Sequence, residues 1–168
     1  YPSGDIAMKN WGFTLVELLV VVAIIGVLTS LLVVNYQSAR ERARDAQRKS
    51  DFRSLKTALR LYYNDFQEYP GSNGGEIVGC GTDKTNPTAC TWGTEWQLAN
   101  AVYMGRLPVD ALNADDYVYS YTMTDNGESF ELTTLLENLS DTAIDESQAG
   151  CGYSPPVGKE ATYVACAN

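Results

Sequence analysis

The sequence predicts an α+β protein in which a long N-terminal α-helix packs on a small antiparallel β-sheet. Three observations predict this fold. An apolar run at residues 13–34 continues as a helical stripe to about residue 68, and no proline interrupts it. A hairpin turn with a strand on each side follows, and a last strand lies near the C-terminal end. The predicted organisation is therefore one long helix followed by one small globular domain, residues 35–168, which includes the second half of the helix.

The first half of the predicted helix is apolar enough to span a membrane. Residues 13–34 contain a single charged residue, Glu17, and a single glycine, Gly26. At ~1.5 Å per residue this run crosses a hydrocarbon core of roughly 30 Å. A secretory signal peptide is the alternative, but its apolar part is usually ~7–15 residues long and ends at a small-residue cleavage site. No such site follows Val34, so we expect a transmembrane segment.

Glu17 is the residue of this run that a membrane tolerates least. A carboxylate near the centre of a bilayer costs about 2.5–3.5 kcal/mol, and less near the boundary, where the side chain can reach the headgroups. Taken alone, Glu17 is compatible with two interpretations. It is either a boundary charge that the membrane tolerates or a charge that finds a partner.

The second half of the helix is predicted to be amphipathic. Its apolar residues recur at steps of three and four, as the core-facing stripe of a helix requires. The stripe consists of Phe52, Leu55, Leu59, Tyr62 and Phe66. The sequence Tyr69-Pro70-Gly71 is a stop signal, so we expect the helix to end near residue 68.

The C-terminal part predicts a loop, a short helix and three strands. Residues 71–91, rich in glycine, asparagine and threonine, indicate a long loop, and the apolar residues of 95–105 indicate a short helix. Strands are predicted at residues 117–122 and 130–136, because the turn Asp125-Asn126-Gly127 between two such runs is a strong hairpin signal. A last strand is predicted at residues 161–165.

The cysteines predict two disulfides in an oxidising compartment. There are four cysteines, no histidine and no C-x-x-C pair, whereas a zinc site needs more closely spaced ligands. Three connectivities are open, and we choose the sequential pairs, Cys80–Cys90 and Cys151–Cys166. The domain should therefore lie outside the cytoplasm.

The charges are segregated along the chain. The net charge is −9, with +4 in residues 1–60 and −13 in residues 61–168. Eight basic residues follow the apolar run: Arg40, Arg42, Arg44, Arg48, Lys49, Arg53, Lys56 and Arg60. By the positive-inside tendency this cluster would place the domain in the cytoplasm, but we give more weight to the cysteines. The cluster is either a collar that meets acidic parts of neighbouring subunits or a solvated helix face near lipid headgroups.

Sequence signals for catalysis or cofactor binding are weak. No histidine, nucleophile motif or phosphate-binding glycine loop is present, so we expect no enzymatic activity and no cofactor. Asp141, Asp145 and Glu146 are weak candidates for a calcium site, because calcium prefers clustered carboxylates and carbonyls. A solvated acidic loop is the alternative. The acidic domain argues against nucleic acid as a partner.

The order of residues around Glu17 carries a family resemblance. Gly12 precedes Phe13, and Glu17 is the fifth residue counted from Phe13, ahead of an unbroken apolar helix. This order resembles the cleavage and methylation segment of type IV prepilins and type II secretion pseudopilins. The resemblance implies that a prepilin peptidase cuts after Gly12 and methylates the amine of Phe13. Residues 1–12 would then be a leader, with Met8 as a plausible start.

The resemblance also implies the pilin fold and an assembly mechanism. Glu17 would pair with the N-terminal amine of Phe13 on a neighbouring subunit in a helical homopolymer. Further partners would be the peptidase, which is also the methyltransferase, a membrane assembly platform, and the cytoplasmic membrane before assembly. Relatives commonly have a helix-breaking proline where this chain has Val34, which leaves Gly26, Thr29 and Ser30 as the only soft points. Major pseudopilins hold calcium in a late loop comparable to the one that contains Asp141.

Three functional hypotheses remain open from the sequence. The first is a structural subunit of an extracellular type IV pilus or pilus-like filament. The second is a type II secretion pseudopilin, which forms a periplasmic pseudopilus. The third is a minor pilin with an adhesin or DNA-uptake role. The two cysteine pairs and the weak calcium set favour the first hypothesis over the second.

Overall fold

The computed structural model describes residues 12–167, with the backbone alone for residues 31–35. It has two α-helices and eight strands in these residues: α1 (Leu15–Phe66), β1 (Gly71–Asn73), β2 (Glu76–Cys80), β3 (Thr88–Cys90), β4 (Trp96–Leu98), β5 (Ala101–Met104), β6 (Ser120–Thr124), β7 (Ser129–Leu135), α2 (Ala143–Cys151) and β8 (Thr162–Cys166). The predicted α+β class, with a long N-terminal helix and antiparallel sheets, is confirmed. Residues 1–11 of the predicted leader, Met8 among them, lie outside the described residues. The side chain of Val34 also lies outside them.

The chain divides into two compact units, Tyr1–Ala39 and Arg40–Asn168. In the first unit, the described side chains of residues 12–30 are all exposed. Helix α1 is continuous through Gly26. The hydroxyls of Thr29 and Ser30 donate hydrogen bonds of 2.7 Å to backbone carbonyls of the preceding turn. In the part of the chain that the structure describes, no helix is both long enough and apolar enough to cross a membrane. The predicted span, residues 13–34, includes residues 31–34, whose side chains lie outside that part.

The second unit contains three antiparallel sheets. Their strand orders are β1-β2-β3, β4-β5 and β6-β7-β8. In the third sheet β7 is central, with Thr133 opposite Ser120 on one side and opposite Val164 on the other. The predicted stripe of α1 supplies much of the core, since Phe52, Leu55, Leu59 and Tyr62 are buried and Phe66 packs against them.

Residues 71–91 are not the long loop that the sequence predicted. They contain β1, β2 and β3, and the first hairpin turns at Gly74 and Gly75, which have positive φ angles of 59° and 86°. The sequence signal was Gly74-Gly75, a dipeptide that favours a tight two-residue hairpin turn. The Cys80–Cys90 disulfide links β2 to β3.

The short helix predicted at residues 95–105 is wrong. The segment is a hairpin of β4 and β5, with Trp96 and Leu98 buried and Gln97 between them exposed. This alternation has the period of a strand, and the indole N–H of Trp96 donates to the carbonyl oxygen of Gly79 at 3.0 Å. Because residues 95–105 are a short run, the pattern of their apolar residues fits either a strand or a helix.

The C-terminal hairpin and the last strand are confirmed. Strands β6 and β7 flank a 3-10 turn at Asp125–Gly127, and β8 lies within one residue of its predicted bounds. Strand β6 begins at Ser120 rather than Tyr117, because Tyr117 closes a turn by donating its backbone N–H to Ala114 at 3.0 Å. The sequence prediction did not include α2, whose residues read as an acidic loop.

Candidate assembly site

The N-terminal segment holds three of the residues that the sequence predicts to act in processing and assembly. Gly12 and Phe13 precede α1, and the Phe13 side chain is 77% exposed. Thr14 is the residue before the first helical residue, Leu15. Glu17 lies in the first turn of α1, one turn after Phe13. Processing and pairing at these residues stay predictions.

Glu17 has a partner within its own chain. Its Oε2 atom accepts hydrogen bonds from the backbone N–H of Thr14 at 2.9 Å and from the Thr14 hydroxyl at 2.7 Å. The Thr14 Oγ1 atom in turn accepts the backbone N–H of Glu17 at 3.3 Å. This reciprocal arrangement is a capping box, which satisfies backbone donors at a helix N-terminus. The signal Thr-x-x-Glu was present in the sequence, but our sequence analysis missed it.

A buried ionic cluster lies in the second unit, and sequence reasoning did not predict it. Arg48 is 1% exposed although it carries a charge. Its guanidinium donates to both carboxylate oxygens of Asp110, at 2.5 and 2.9 Å, and to Asp45 and Glu137 at 2.7 Å each. The Tyr117 ring lies 5.0 Å from the guanidinium carbon. Four acceptor atoms thus surround one buried cation, which offsets the cost of its burial.

Arg44 and Asp45 extend the cluster from α1 to the end of β7. Arg44 donates two hydrogen bonds to the Glu137 carboxylate, one of them from Nε at 2.7 Å. The Asp45 carboxylate accepts the backbone N–H groups of Glu137 and Asn138 at 3.0 and 2.9 Å. The cluster therefore joins α1 to two distant parts of the chain, around residues 110 and 137.

The ionic partners shift the pKa values of the cluster. Burial raises the pKa of Asp110, but the hydrogen bonds from Arg48 and from the backbone N–H of Leu112 outweigh burial and hold it below its usual value. The hydrogen bond from Arg44 lowers the pKa of Glu137 more than burial raises it. Burial lowers the pKa of Arg48, yet its carboxylate partners raise it above the ordinary value. All three groups are therefore charged at neutral pH.

The structure separates three of the eight basic residues at 40–60 from the rest. Arg44, Arg48 and Lys49 bind acidic residues of the same chain. Arg42 and Arg53 are exposed, as are Arg40 and Arg60. A collar that meets neighbouring subunits would therefore not use Arg44, Arg48 and Lys49, which are already paired within the chain.

The three calcium candidates do not come together. The Asp141 carboxylate binds Lys49, with Oδ2 and Nζ 2.6 Å apart. Asp145 and Glu146 are exposed in the first turn of α2. Among residues 12–167, no group of three or more acidic, cysteine or histidine side chains could hold a metal ion.

The four cysteines form the pairs that the sequence predicted. Cys80–Cys90 has a Cα–Cα distance of 5.2 Å, and Cys151–Cys166 has one of 5.8 Å. The second disulfide joins the last residue of α2 to the last residue of β8. Both lie in the second unit and tie its short elements together.

Two family profiles match the chain. Residues 9–33 match the prokaryotic N-terminal methylation motif. Residues 35–146, which cover about two thirds of the chain, match the family described as type II secretion system (T2SS), protein G. The first match includes Gly12, Phe13 and Glu17, and the second includes the ionic cluster.

Individual relatives point to the same family. The chain is 33% identical to the type II secretion system core protein G of Pectobacterium carotovorum over 126 residues, 67% of this chain and 81% of the relative. It is 31% identical to the protein of the same description from Vibrio cholerae, over 89% of this chain and 91% of the relative. A type IV major pilin of Myxococcus xanthus is 34% identical over 61 residues, 36% of this chain and 28% of the pilin. No solved structure matches.

Proposed function

Because this chain belongs to the family of the type II secretion system protein G, whose members are pilin-like filament subunits, we propose that it is a pseudopilin that forms a periplasmic filament for type II secretion. The match over residues 35–146 carries this proposal. The N-terminal methylation motif is common to pilins and pseudopilins, so it does not separate the two. The comparisons thus favour the second sequence hypothesis over the first.

The proposed mechanism is assembly rather than catalysis. A prepilin peptidase removes the leader after Gly12 and methylates the amine of Phe13. Before assembly, residues 13–34 span the cytoplasmic membrane and the second unit lies outside it. During assembly the Glu17 carboxylate pairs with the Phe13 amine of a neighbouring subunit, because two charges that are costly to bury alone neutralise each other in a low-dielectric bundle. The exposed apolar side chains of residues 13–28 support an assembly of helices of this kind.

Mass spectrometry tests the processing step. The mature protein should begin at a methylated Phe13. A leader that remains on subunits recovered from filaments would contradict the proposal at this step.

Gene deletion in the parent organism tests the secretion function. We expect the proteins that the organism normally secretes to accumulate in its periplasm, and gold-labelled antibodies against the second unit to decorate the cell envelope. A plasmid copy of the wild-type gene is the control. Normal secretion in the deletion strain would contradict the proposal.

A type IV pilus subunit is the second candidate function. The match to the Myxococcus xanthus major pilin favours it. Long surface fibres that bind the same antibodies, in a strain whose secretion does not depend on the gene, would establish this candidate instead.

A further inference from the structure

The segment from Glu137 to Asp141, which we call the post-β7 loop, is fixed to α1 by charged groups at both ends. At its start, Asp45 accepts the backbone N–H groups of Glu137 and Asn138, while the Glu137 side chain binds Arg44 and Arg48. Asp45 is 1% exposed, so the charged acceptor of these bonds lies away from water. Buried bonds to a charged acceptor are among the stronger ones in proteins.

Lys49 fixes the other end of the loop. Its Nζ atom lies 2.6 Å from Oδ2 of Asp141. The other carboxylate oxygen, Oδ1, accepts the backbone N–H of Ala143 at 3.0 Å, at the start of α2. Both oxygens of Asp141 are therefore engaged, and the hydrogen bond from Lys49 lowers the pKa of this carboxyl group more than burial raises it.

The calcium that the family resemblance implies for a late loop does not fit these residues. Calcium takes six to eight oxygen ligands, several of them from carboxylates. Asp141 already binds an ammonium group, and Asp145 is exposed on α2. Glu146 lines a different feature, a cavity of about 270 Å³ that Arg53 and Lys56 also line. The three candidate donors thus do not form one calcium ligand set, and Asp141 already binds a cation.

The charges around the loop are already almost balanced. Arg44, Arg48 and Lys49 supply three positive charges. The acidic groups that bind them supply four negative charges: Asp45, Asp110, Glu137 and Asp141. A divalent cation would therefore turn a nearly neutral group into a positive one, and Lys49 would be repelled from it at short range.

We propose that Lys49, with Arg44 and Arg48, holds the post-β7 loop in place of a metal ion, so that this protein folds and keeps its loop ordered without calcium. The cation that joins α1 to Asp141 is the ammonium group of Lys49 and not a metal ion. This proposal concerns the fold and does not depend on which filament the protein forms.

Thermal unfolding of the full chain in detergent micelles tests the proposal directly. The unfolding temperature of the wild-type protein should be the same in saturating calcium chloride and in excess EGTA. Magnesium chloride at equal concentration controls for ionic strength. A saturable rise of the unfolding temperature with calcium but not magnesium, abolished in D141N, would overturn the proposal.

Substitution of Lys49 tests the role of the internal cation. K49M keeps the aliphatic stem and removes the ammonium group, so it should unfold several degrees lower than wild type, with or without calcium. R53M removes an exposed cation of the same helix, and K49R keeps the charge; both should unfold close to the wild-type temperature. A K49M protein as stable as R53M would overturn the proposal.

Hydrogen exchange provides a local measurement that does not require unfolding. In K49M the backbone amide of Ala143, which donates to Asp141, should exchange many-fold faster than in wild type. The amide of Leu132 in β7, within the core sheet, serves as the internal reference. Exchange at Ala143 as slow in K49M as in wild type would show that Lys49 does not order the loop and would contradict the proposal.

Discussion

The carboxylate of Glu17 has one partner in its own chain and a second, proposed partner in a neighbouring subunit. Its own-chain partner is Thr14, which it binds in a capping box. Capping requires an acceptor oxygen, and a neutral amide provides one. Pairing with a protonated amine requires a negative charge. Substitutions at these two residues can therefore separate the two roles.

We expect E17Q to insert into the membrane with α1 capped but to form no filaments, because the amide keeps the acceptor and loses the charge. We expect T14V to form filaments, because valine keeps the shape of threonine and removes only the capping hydroxyl. Membrane fractionation measures insertion, and electron microscopy measures filaments. Normal filaments from E17Q would mean that Glu17 acts as a cap and not as a charged partner.

Arg48 shows how a buried charge makes one residue essential to the stability of the second unit. R48M should lower the free energy of unfolding by about 3–5 kcal/mol, because it leaves the carboxylates of Asp45 and Asp110 buried without their cation. R53M, at an exposed position of the same helix, should change it by no more than about 0.5 kcal/mol. Urea denaturation measures both. A loss of under about 1 kcal/mol for R48M would contradict the importance of the cluster.

At the scale of the elements, the sequence predicted the helices and strands that have a clear pattern in neighbouring residues. The stripe of α1 extends over several turns, and the turn Asp125-Asn126-Gly127 lies between two clear strands. The short strands β4 and β5 were mistaken for a helix, since three or four residues cannot establish a period. Helix α2 was missed because its nine residues have a weak apolar face with one buried residue, Ile144.

The sequence singled out the N-terminal residues of the candidate site but not the buried ionic cluster. Gly12, Phe13 and Glu17 stand out because their order along the chain is itself the signal. The ionic cluster could not be predicted, because its acidic members Asp110 and Glu137 lie 62 and 89 residues from Arg48. A single sequence contains no information on such pairs. The sequence therefore placed Arg44, Arg48 and Lys49 in a collar or on a solvated helix face, whereas they are paired within the chain.

The C-terminal hairpin provides a test at the scale of the element. Gly127 has a φ of 95°, and an added Cβ would lie 3.1 Å from the Cβ of Glu68. Its carbonyl oxygen accepts the backbone N–H of Tyr69 at 2.8 Å, so this turn is bonded to the chain just after α1. We expect G127A to lower the free energy of unfolding by about 1–3 kcal/mol, through backbone strain.

N126G is the matched control for that substitution. Asn126 has a φ of 55° and a ψ of 39°, a left-handed conformation that glycine adopts without strain. N126G should therefore change the free energy of unfolding by less than G127A does. Equal stability of G127A and wild type in urea denaturation would show that the turn tolerates a side chain at this position.

At the scale of the whole molecule, the charges that are segregated along the sequence are partly recombined by folding. Three basic residues within residues 1–60 bind acidic residues within residues 61–168. The pKa values of Asp110, Glu137 and Asp141 are all lowered in the folded chain. The unfolded chain therefore binds more protons than the folded chain at acidic pH, and stability depends on pH.

Acid should destabilise the protein for this reason. The contribution of the three carboxylates is complete above their unfolded pKa values of about 4 and is lost as the pH falls through the lower folded values. The free energy of unfolding should be constant near neutral pH and decrease below about pH 4.5. E137Q should be less stable than wild type at neutral pH and should lose less stability on acidification. An unchanged free energy of unfolding between neutral pH and about pH 3 would contradict this account.

Alkali should destabilise the protein through its buried tyrosines. Burial raises the pKa of Tyr119 and Tyr121, and the hydrogen bond that Tyr119 donates to Asp51 at 2.7 Å raises that of Tyr119 further. Above about pH 10 the folded chain thus retains phenol protons that the unfolded chain releases. The stability that these groups contribute is therefore lost as the pH rises beyond about 10. The tyrosinate absorbance that wild type gains and Y119F does not should appear together with unfolding and not before it. In Y119F the loss of stability above about pH 10 should be smaller than in wild type, and an equal loss would show that Tyr119 does not contribute to it.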